Sequence, residues 1–349
     1  MSQKQYEESA FERFRSVKRK AVRLSQDELI KKSYLNPDEK FPLVIEPGVS
    51  GLNLIEWAKG NPDAIEADLL MHGAILFRNF GFETENQFEQ FARSISPELL
   101  DYSERAAPRI EVGRNVYTST EFPPDQPIPL HHEMSYSHNW PTKIWFFCKQ
   151  PPLEGGRTPI ASDRKILTMI APEIRERFMQ KKVMYVRNYG EGIDLPWQEV
   201  FQTSDRDVVE DYCRQSRMEL EWIGSNRLRT RQVRQAVAIH PKTGEMVWFN
   251  HAHMFHTSNL DPCLSKSLLA EFAPDELPRN SFYGDGSPIE SSILSEIRDI
   301  YDKAAVRFTW QKGDILMLDN FLSSHGREPF TGPRKILVTM AELYTNLNL

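Results

Sequence analysis

Pro129-Leu130-His131-His132-Glu133-Met134-Ser135-Tyr136 is the stretch on which the reading of this 349-residue chain turns. Prolines at 123, 124, 127 and 129 give it an extended entry. In extended chain, residues two apart point the same way, so His131 and Glu133 share a face and His132 points opposite. An imidazole and a carboxylate on one face are two thirds of a 2-His-1-carboxylate site, which binds Fe(II) and leaves positions open for a cosubstrate and oxygen. Alone, His-x-Glu is a weak signal that a surface turn or a satisfied histidine also produces.

The third ligand must come from elsewhere, and His325 is the candidate. It follows Gly313-Asp314-Ile315-Leu316-Met317-Leu318-Asp319-Asn320, a buried strand by pattern that ends in polar residues. From 133 to 325 is a separation of 192 residues, natural where a ligand pair and a lone histidine sit on two sheets facing one core. Arg334 opens a strand in which Ile336, Val338 and Met340 share its parity, so it is expected to point inward, and Lys335 outward. A buried guanidinium needs a carboxylate and can hold one bidentately. The distal carboxylate of 2-oxoglutarate and the side chain of Glu328 suit it about equally. Asp319 or Asn320 is placed to fix the histidine tautomer near His325.

Around these residues the texture is that of a mainly β protein. Strand-like runs at 116–119, 143–148, 183–186, 245–250, 308–311, 314–318 and 335–340 are separated by Pro and Gly. Helices are expected at 63–70, after the Thr84 capping box, after Thr203/Ser204, and from Ser287-Pro288-Ile289-Glu290. Many strands without βαβ alternation point to two facing sheets with helical decoration, a jelly roll. At about 150 residues per domain the length favours two domains, but the ligand spacing argues for one, spanning 41–349. The extra chain goes to lid-type insertions near 165–234 and 259–304. Residues 1–40 read as a helical or partly ordered arm.

Composition removes several classes. Lys and Arg number 43 against 49 Asp and Glu, a net charge of −6, which argues against a general nucleic-acid binder. The longest apolar runs, such as 315–318, are far too short to span a bilayer, and no secretory leader is visible. Three cysteines without a CxxC pair suit a reducing cytoplasm and read as packing residues. Trp248, Phe249, Asn250, His251, His253 and His256 form a second cluster. His251-x-His253 mimics a metal pair, as a cupin-like dioxygenase would use, but lacks a carboxylate, so the cluster reads as pocket wall. Asn250 is then the substrate-contact candidate, with Tyr136 and Arg229 behind it. Arg227, Arg229 and Arg231 share one strand face, either a basic strip for a carboxylate or phosphate, or a charged edge strand.

His131-x-Glu133, Gly155-Gly156-Arg157-Thr158, and Asp319-Asn320 followed by His325-Gly326-Arg327 and Arg334 together resemble the taurine dioxygenase/TfdA family. They are most similar to its clavaminate-synthase-like and SyrP-like members, found beside nonribosomal peptide synthetases. The likeness runs from about residue 73 to 344 and includes Leu228-Arg229-Thr230-Arg231-Gln232 and Val247-Trp248-Phe249-Asn250-His251. It implies a double-stranded β-helix with His131, Glu133 and His325 as metal ligands, and Arg334 with Thr158 on 2-oxoglutarate. It further implies Fe(II), 2-oxoglutarate and O2 as cofactor and cosubstrates, and hydroxylation of an unactivated C–H. The substrate would be an amino acid, an aminoacyl group on a carrier protein, or a peptide-derived intermediate of secondary metabolism. Desaturation or cyclisation by the same chemistry is the alternative, and a homodimer is compatible with it. Glu133 disfavours halogenation, because halogenating relatives replace the metal carboxylate with Ala or Gly.

Overall fold

The computed structural model describes residues 26–101, 110–119, 122–190 and 195–346. Eight strands form the larger sheet, in the order Ile30–Asn36, Phe41–Pro47, Ala74–Phe77, Ile315–Asp319, Asn139–Gln150, Lys335–Thr345, Val116–Thr118 and Glu111–Gly113. All neighbours are antiparallel except Phe41–Pro47 and Ala74–Phe77. The middles of the central strands, 74–77, 144–148, 315–318 and 336–338, are apolar because both of their faces are covered. Odd-numbered Phe77, Trp145, Phe147, Ile315 and Leu337 pack beneath three helices, Leu54–Gly60, Pro62–His72 and Glu85–Ile95. Even-numbered Leu76, Ile144, Phe146, Leu316, Ile336 and Val338 face the other way, into a second core with Ile160 and Trp310. Across that core lies a three-stranded sheet, Ile128–His131, Ser323–Arg327 and Ile160–Ser162, with Ser323–Arg327 in the middle. The architecture is a mainly β jelly roll with helical decoration.

Several local expectations hold for identifiable reasons. The first helix proposed runs over Pro62–His72 and stops at Gly73, whose φ of 76° ends the helix at low steric cost. Thr84 and Gln87 form a reciprocal capping box on Glu85–Ile95. Other expectations need correction. Asp205, not Thr203 or Ser204, caps Arg206–Gln215, because Asp205 is the residue whose side chain reaches the Asp207 amide. The last long helix begins at Ser291 rather than Ser287, since Ser287 closes a turn onto Tyr283 and Asp285 first. Residues 308–311 form no strand, although Phe308 and Trp310 are buried. Within the expected helical arm, residues 30–36 form an edge strand paired with Phe41–Pro47, and residues 1–25 lie outside the described residues. Cys148 and Cys213 are buried, but Cys263 is exposed and so is not a core residue.

The two segments read as separate insertions meet in one sheet. Val183–Tyr189 pairs on one side with Arg227–Arg234, itself followed by Glu219–Ile223, and on the other with Arg279–Tyr283. Arg227–Arg234 is therefore an interior strand, which overturns its reading as a charged edge. Among the described residues no helix is long and apolar enough to cross a membrane.

One ion pair ties the two ends of the core together. Arg78, after Ala74–Phe77, reaches both oxygens of Asp314, before Ile315–Asp319, at 3.0 and 2.7 Å. The Asp314 side chain is only 1% exposed, so truncation would leave Arg78 without its partner in a poorly solvated place. Asp314→Ala is expected to lower unfolding free energy by about 3 kcal/mol, measured by urea denaturation.

Candidate metal centre

In the small sheet, His325 stands directly across the antiparallel ladder from His131. Cross-strand neighbours have side chains about 5 Å apart on one face, so pairing alone brings the two imidazoles together. Their ring centroids are 4.6 Å apart. The chain leaves the strand after His131 and turns at Met134, whose φ is 58°. Glu133 is thereby folded back toward the histidines, with Oε2 3.9 Å from His325 Nε2. One ligand atom from each of His131, Glu133 and His325 lies within 4.8 Å of the others. Among the described residues no other group of three side chains offers such a set. Nitrogen and oxygen ligands sit about 2 Å from a transition metal, so only small rotations separate this arrangement from a closed one.

The neighbouring groups fit a cation as well. His131 Nδ1 is 2.8 Å from the Pro129 carbonyl, which can only accept, so the proton sits on Nδ1 and the Nε2 lone pair is left for a metal. His132 points away from the other two, as the alternation requires, and meets Asp163. Asn320 does not touch a histidine, contrary to expectation. Its Oδ1 accepts from the Glu133 amide, and its Nδ2 donates to the Glu133 and Pro141 carbonyls, each at 2.9 Å. Asp319 is likewise engaged elsewhere, with His240 Nε2 at 3.0 Å and the Phe321 and Leu322 amides.

A pocket opens beside the triad between the two sheets, lined by His131, His325, Phe146, Thr158, Arg334 and Ile336 among others. Arg334 is inward, as its parity predicts, while Lys335 reaches Glu85 on the outside. Glu328 is taken by Arg157 and Arg307, and among the described residues no carboxylate pairs with Arg334. Arg334 donates instead to the Gly156 carbonyl at 3.1 Å and, at 3.4 Å, to the hydroxyls of Ser119 and Thr158. Burial, reinforced by the charge of Arg327, pulls its pKa down to about 10, so it remains a cation at neutral pH. The glycine pair makes this approach sterically feasible. A Cβ on Gly156 would come within 2.7 Å of Pro152, 2.9 Å of Phe330 and 3.1 Å of Arg334, and one on Gly155 within 2.3 Å of the Pro329 carbonyl. Both glycines also have positive φ, 68° and 62°.

The remaining candidates are not among the residues lining that pocket. Asn250 is fully buried, with Nδ2 donating to the Ala236 carbonyl and Oδ1 accepting from the Ala252 amide, so its amide serves the backbone. Arg229 lies in the other sheet, bonded to Asn188 and near Glu221, Asp275 and Glu276. Tyr136 packs edge-on against His251, which in turn lies against His131. His251 Nδ1 meets Ser135 Oγ at 2.6 Å, and His253 Nε2 bonds the Leu130 carbonyl. Burial keeps His251 well below the usual histidine range and His253 down at about 3. Sequence reasoning missed Ser119 and Trp310. The indole of Trp310 donates to Thr158 Oγ1 at 3.0 Å, a contact made across 152 residues that no local pattern announces.

A jelly roll holding two histidines and a carboxylate beside a half-buried, carboxylate-free arginine defines the 2-oxoglutarate-dependent non-haem iron dioxygenases. The chain belongs to the taurine catabolism dioxygenase TauD/TfdA family, whose model matches residues 6–340. It is 39% identical over 299 residues to the dapdiamide synthesis protein DdaC of Enterobacter agglomerans, covering 86% of this chain and 90% of that protein. It is 31% identical over 292 residues to a clavaminate synthase-like protein of Arabidopsis thaliana, covering 79% and 84%. Among solved structures, PvcB of Pseudomonas aeruginosa superposes with a TM-score of 0.53 at 17% identity, covering 91% of this chain and 93% of that one. A second structure of PvcB, described as an Fe, alpha-ketoglutarate dependent oxygenase from an isonitrile synthetic pathway, gives 0.54 at 16%, covering 93% and 97%. The enzyme uses Fe(II), 2-oxoglutarate and O2.

Asn320→Ala removes the clamp on the Glu133 backbone and leaves buried polar groups unmatched. Anaerobic Fe(II) titration is expected to show affinity reduced about 10- to 100-fold.

Proposed function

We propose that the enzyme hydroxylates an unactivated C–H of an amino acid, of an aminoacyl group carried on a peptide-synthetase carrier protein, or of a peptide-derived intermediate in secondary metabolism. The observation that carries the oxygenase part is Arg334, a half-buried cation without a carboxylate partner among the described residues, lining the same pocket as His131 and His325. The secondary-metabolism part is supported by 39% identity to a protein named for dapdiamide synthesis.

In this reading His131, Glu133 and His325 hold Fe(II), and Arg334 with Thr158 holds the distal carboxylate of 2-oxoglutarate. The chemistry that side chains lack, activation of O2 driven by decarboxylation of 2-oxoglutarate to succinate, comes from the bound metal and cosubstrate. The chain supplies placement. Thr158 Oγ1 already accepts from Trp310 and lies within reach of Arg334, so its own proton is left to donate to a carboxylate. Ser119 offers a further hydroxyl at the guanidinium. Phe146, Ile336 and Val338 wall the pocket with hydrocarbon and keep bulk water from it. The sheet built from 183–189, 219–223, 227–234 and 279–283 is read as the cover of the substrate side.

Arg334→Ala should bind Fe(II) as the native enzyme does but require roughly 10- to 100-fold more 2-oxoglutarate for half-maximal succinate release. Undiminished turnover of that variant without 2-oxoglutarate would favour a cupin-like dioxygenase instead. Succinate release screened over free and carrier-bound amino acids, with mass detection, tests the substrate class. Gain of one oxygen supports hydroxylation, and loss of two hydrogens supports desaturation or cyclisation.

A further inference from the structure

The two chain segments that bring the ligands together are joined a second time, behind the pocket. Asp163 follows the strand Ile160–Ser162 and opens the helix Asp163–Met169. In the ladder before it, Ile160 faces His325, Ala161 faces Ser324 and Ser162 faces Ser323. The Asp163 amide continues this attachment by donating to the Leu322 carbonyl at 2.9 Å. Its main chain is thus fastened to the strand that carries His325.

Its side chain reaches the other segment. Asp163 Oδ2 lies 2.9 Å from Nε2 of His132, the residue between His131 and Glu133, and both side chains are fully buried. The His132 ring is also held against Phe249, with centroids 4.6 Å apart. Burial raises the Asp163 pKa, while His132 and Ser324 favour its charged form. A buried acid–imidazole pair is a poor device for stability alone, because an apolar pair of similar volume usually holds a core at least as well. Its value lies in setting a position.

We propose that Asp163 is a positioning residue for the metal centre, one that uses its main chain to hold the His325 strand and its carboxylate to hold His132, and so sets the spacing between His325 and the His131–Glu133 pair. This rests on the reading of those three residues as metal ligands.

The test uses Co(II), an air-stable probe with visible d–d absorption, titrated into the full-length apo protein, with urea unfolding measured in parallel. Asp163→Asn keeps the shape and removes the acid, and is expected to weaken Co(II) binding about 10- to 100-fold and to alter the d–d band. The double variant His132→Phe/Asp163→Leu replaces the pair with hydrocarbon. It is expected to unfold at a urea concentration close to that of the native protein yet to bind Co(II) as weakly as Asp163→Asn. A double variant that folds and binds Co(II) like the native protein overturns the proposal, as does Asp163→Asn with a lowered urea midpoint and unchanged affinity. If Asp163→Asn fails to fold, the double variant decides by the same criterion. Native-like Co(II) binding by His131→Ala would instead overturn the metal reading itself, a distinct failure.

Discussion

Antiparallel pairing of Ile128–His131 with Ser323–Arg327 places His131 opposite His325, and much of the surrounding structure serves to keep that pairing in register. A slip of one residue would turn every side chain of a strand to the opposite face, sending one imidazole into the packing behind the sheet. Ile160–Ser162 secures Ser323–Arg327 from its other edge. Gly326 lets the strands close up, since a Cβ there would lie 2.6 Å from the Ile128 carbonyl. Asn320 then holds the backbone of Glu133 from a third direction.

The larger sheet contributes through alternation in its four central strands. There odd residues satisfy the helices outside and even residues satisfy the interior, so Arg334 on an even position is carried inward with Ile336 and Val338. A guanidinium there would be costly in isolation. Hydroxyls from Ser119 and Thr158, the Gly156 carbonyl, and the face of Phe330 at 5.5 Å reduce that cost without neutralising the charge. The charge is therefore retained.

Sequence made part of the candidate site legible because period-two geometry is local: the inward aim of Arg334 needs only the parity of neighbouring residues, whereas Glu133 is folded back by the turn at Met134. The jelly roll was legible for the same reason, from short punctuated runs without βαβ alternation. What stayed hidden was pairing across long separations. Trp310 on Thr158 and Asn320 on Glu133 join positions more than 150 residues apart. Asn250 and Arg229 were placed near the site on residue type, but buried amides and guanidinia are consumed by whichever backbone carbonyl or carboxylate is nearest, and type alone does not say which that is. The misplacement of the helix start at Ser287 has a similar cause, because Ser-Pro-x-Glu also closes a tight turn.

The sheet shared by 183–189, 227–234 and 279–283 has a consequence for anyone exchanging parts between relatives. Two stretches that look like independent loops are in fact one board, whose middle plank, Val183–Tyr189, is nailed on both sides. Grafting only the first stretch from another enzyme would give Arg279–Tyr283 a foreign neighbour, and grafting only the second would do the same to Val183–Tyr189. Either chimaera would expose mismatched strand edges where aggregation begins. The two stretches are inherited, or transplanted, as a single module.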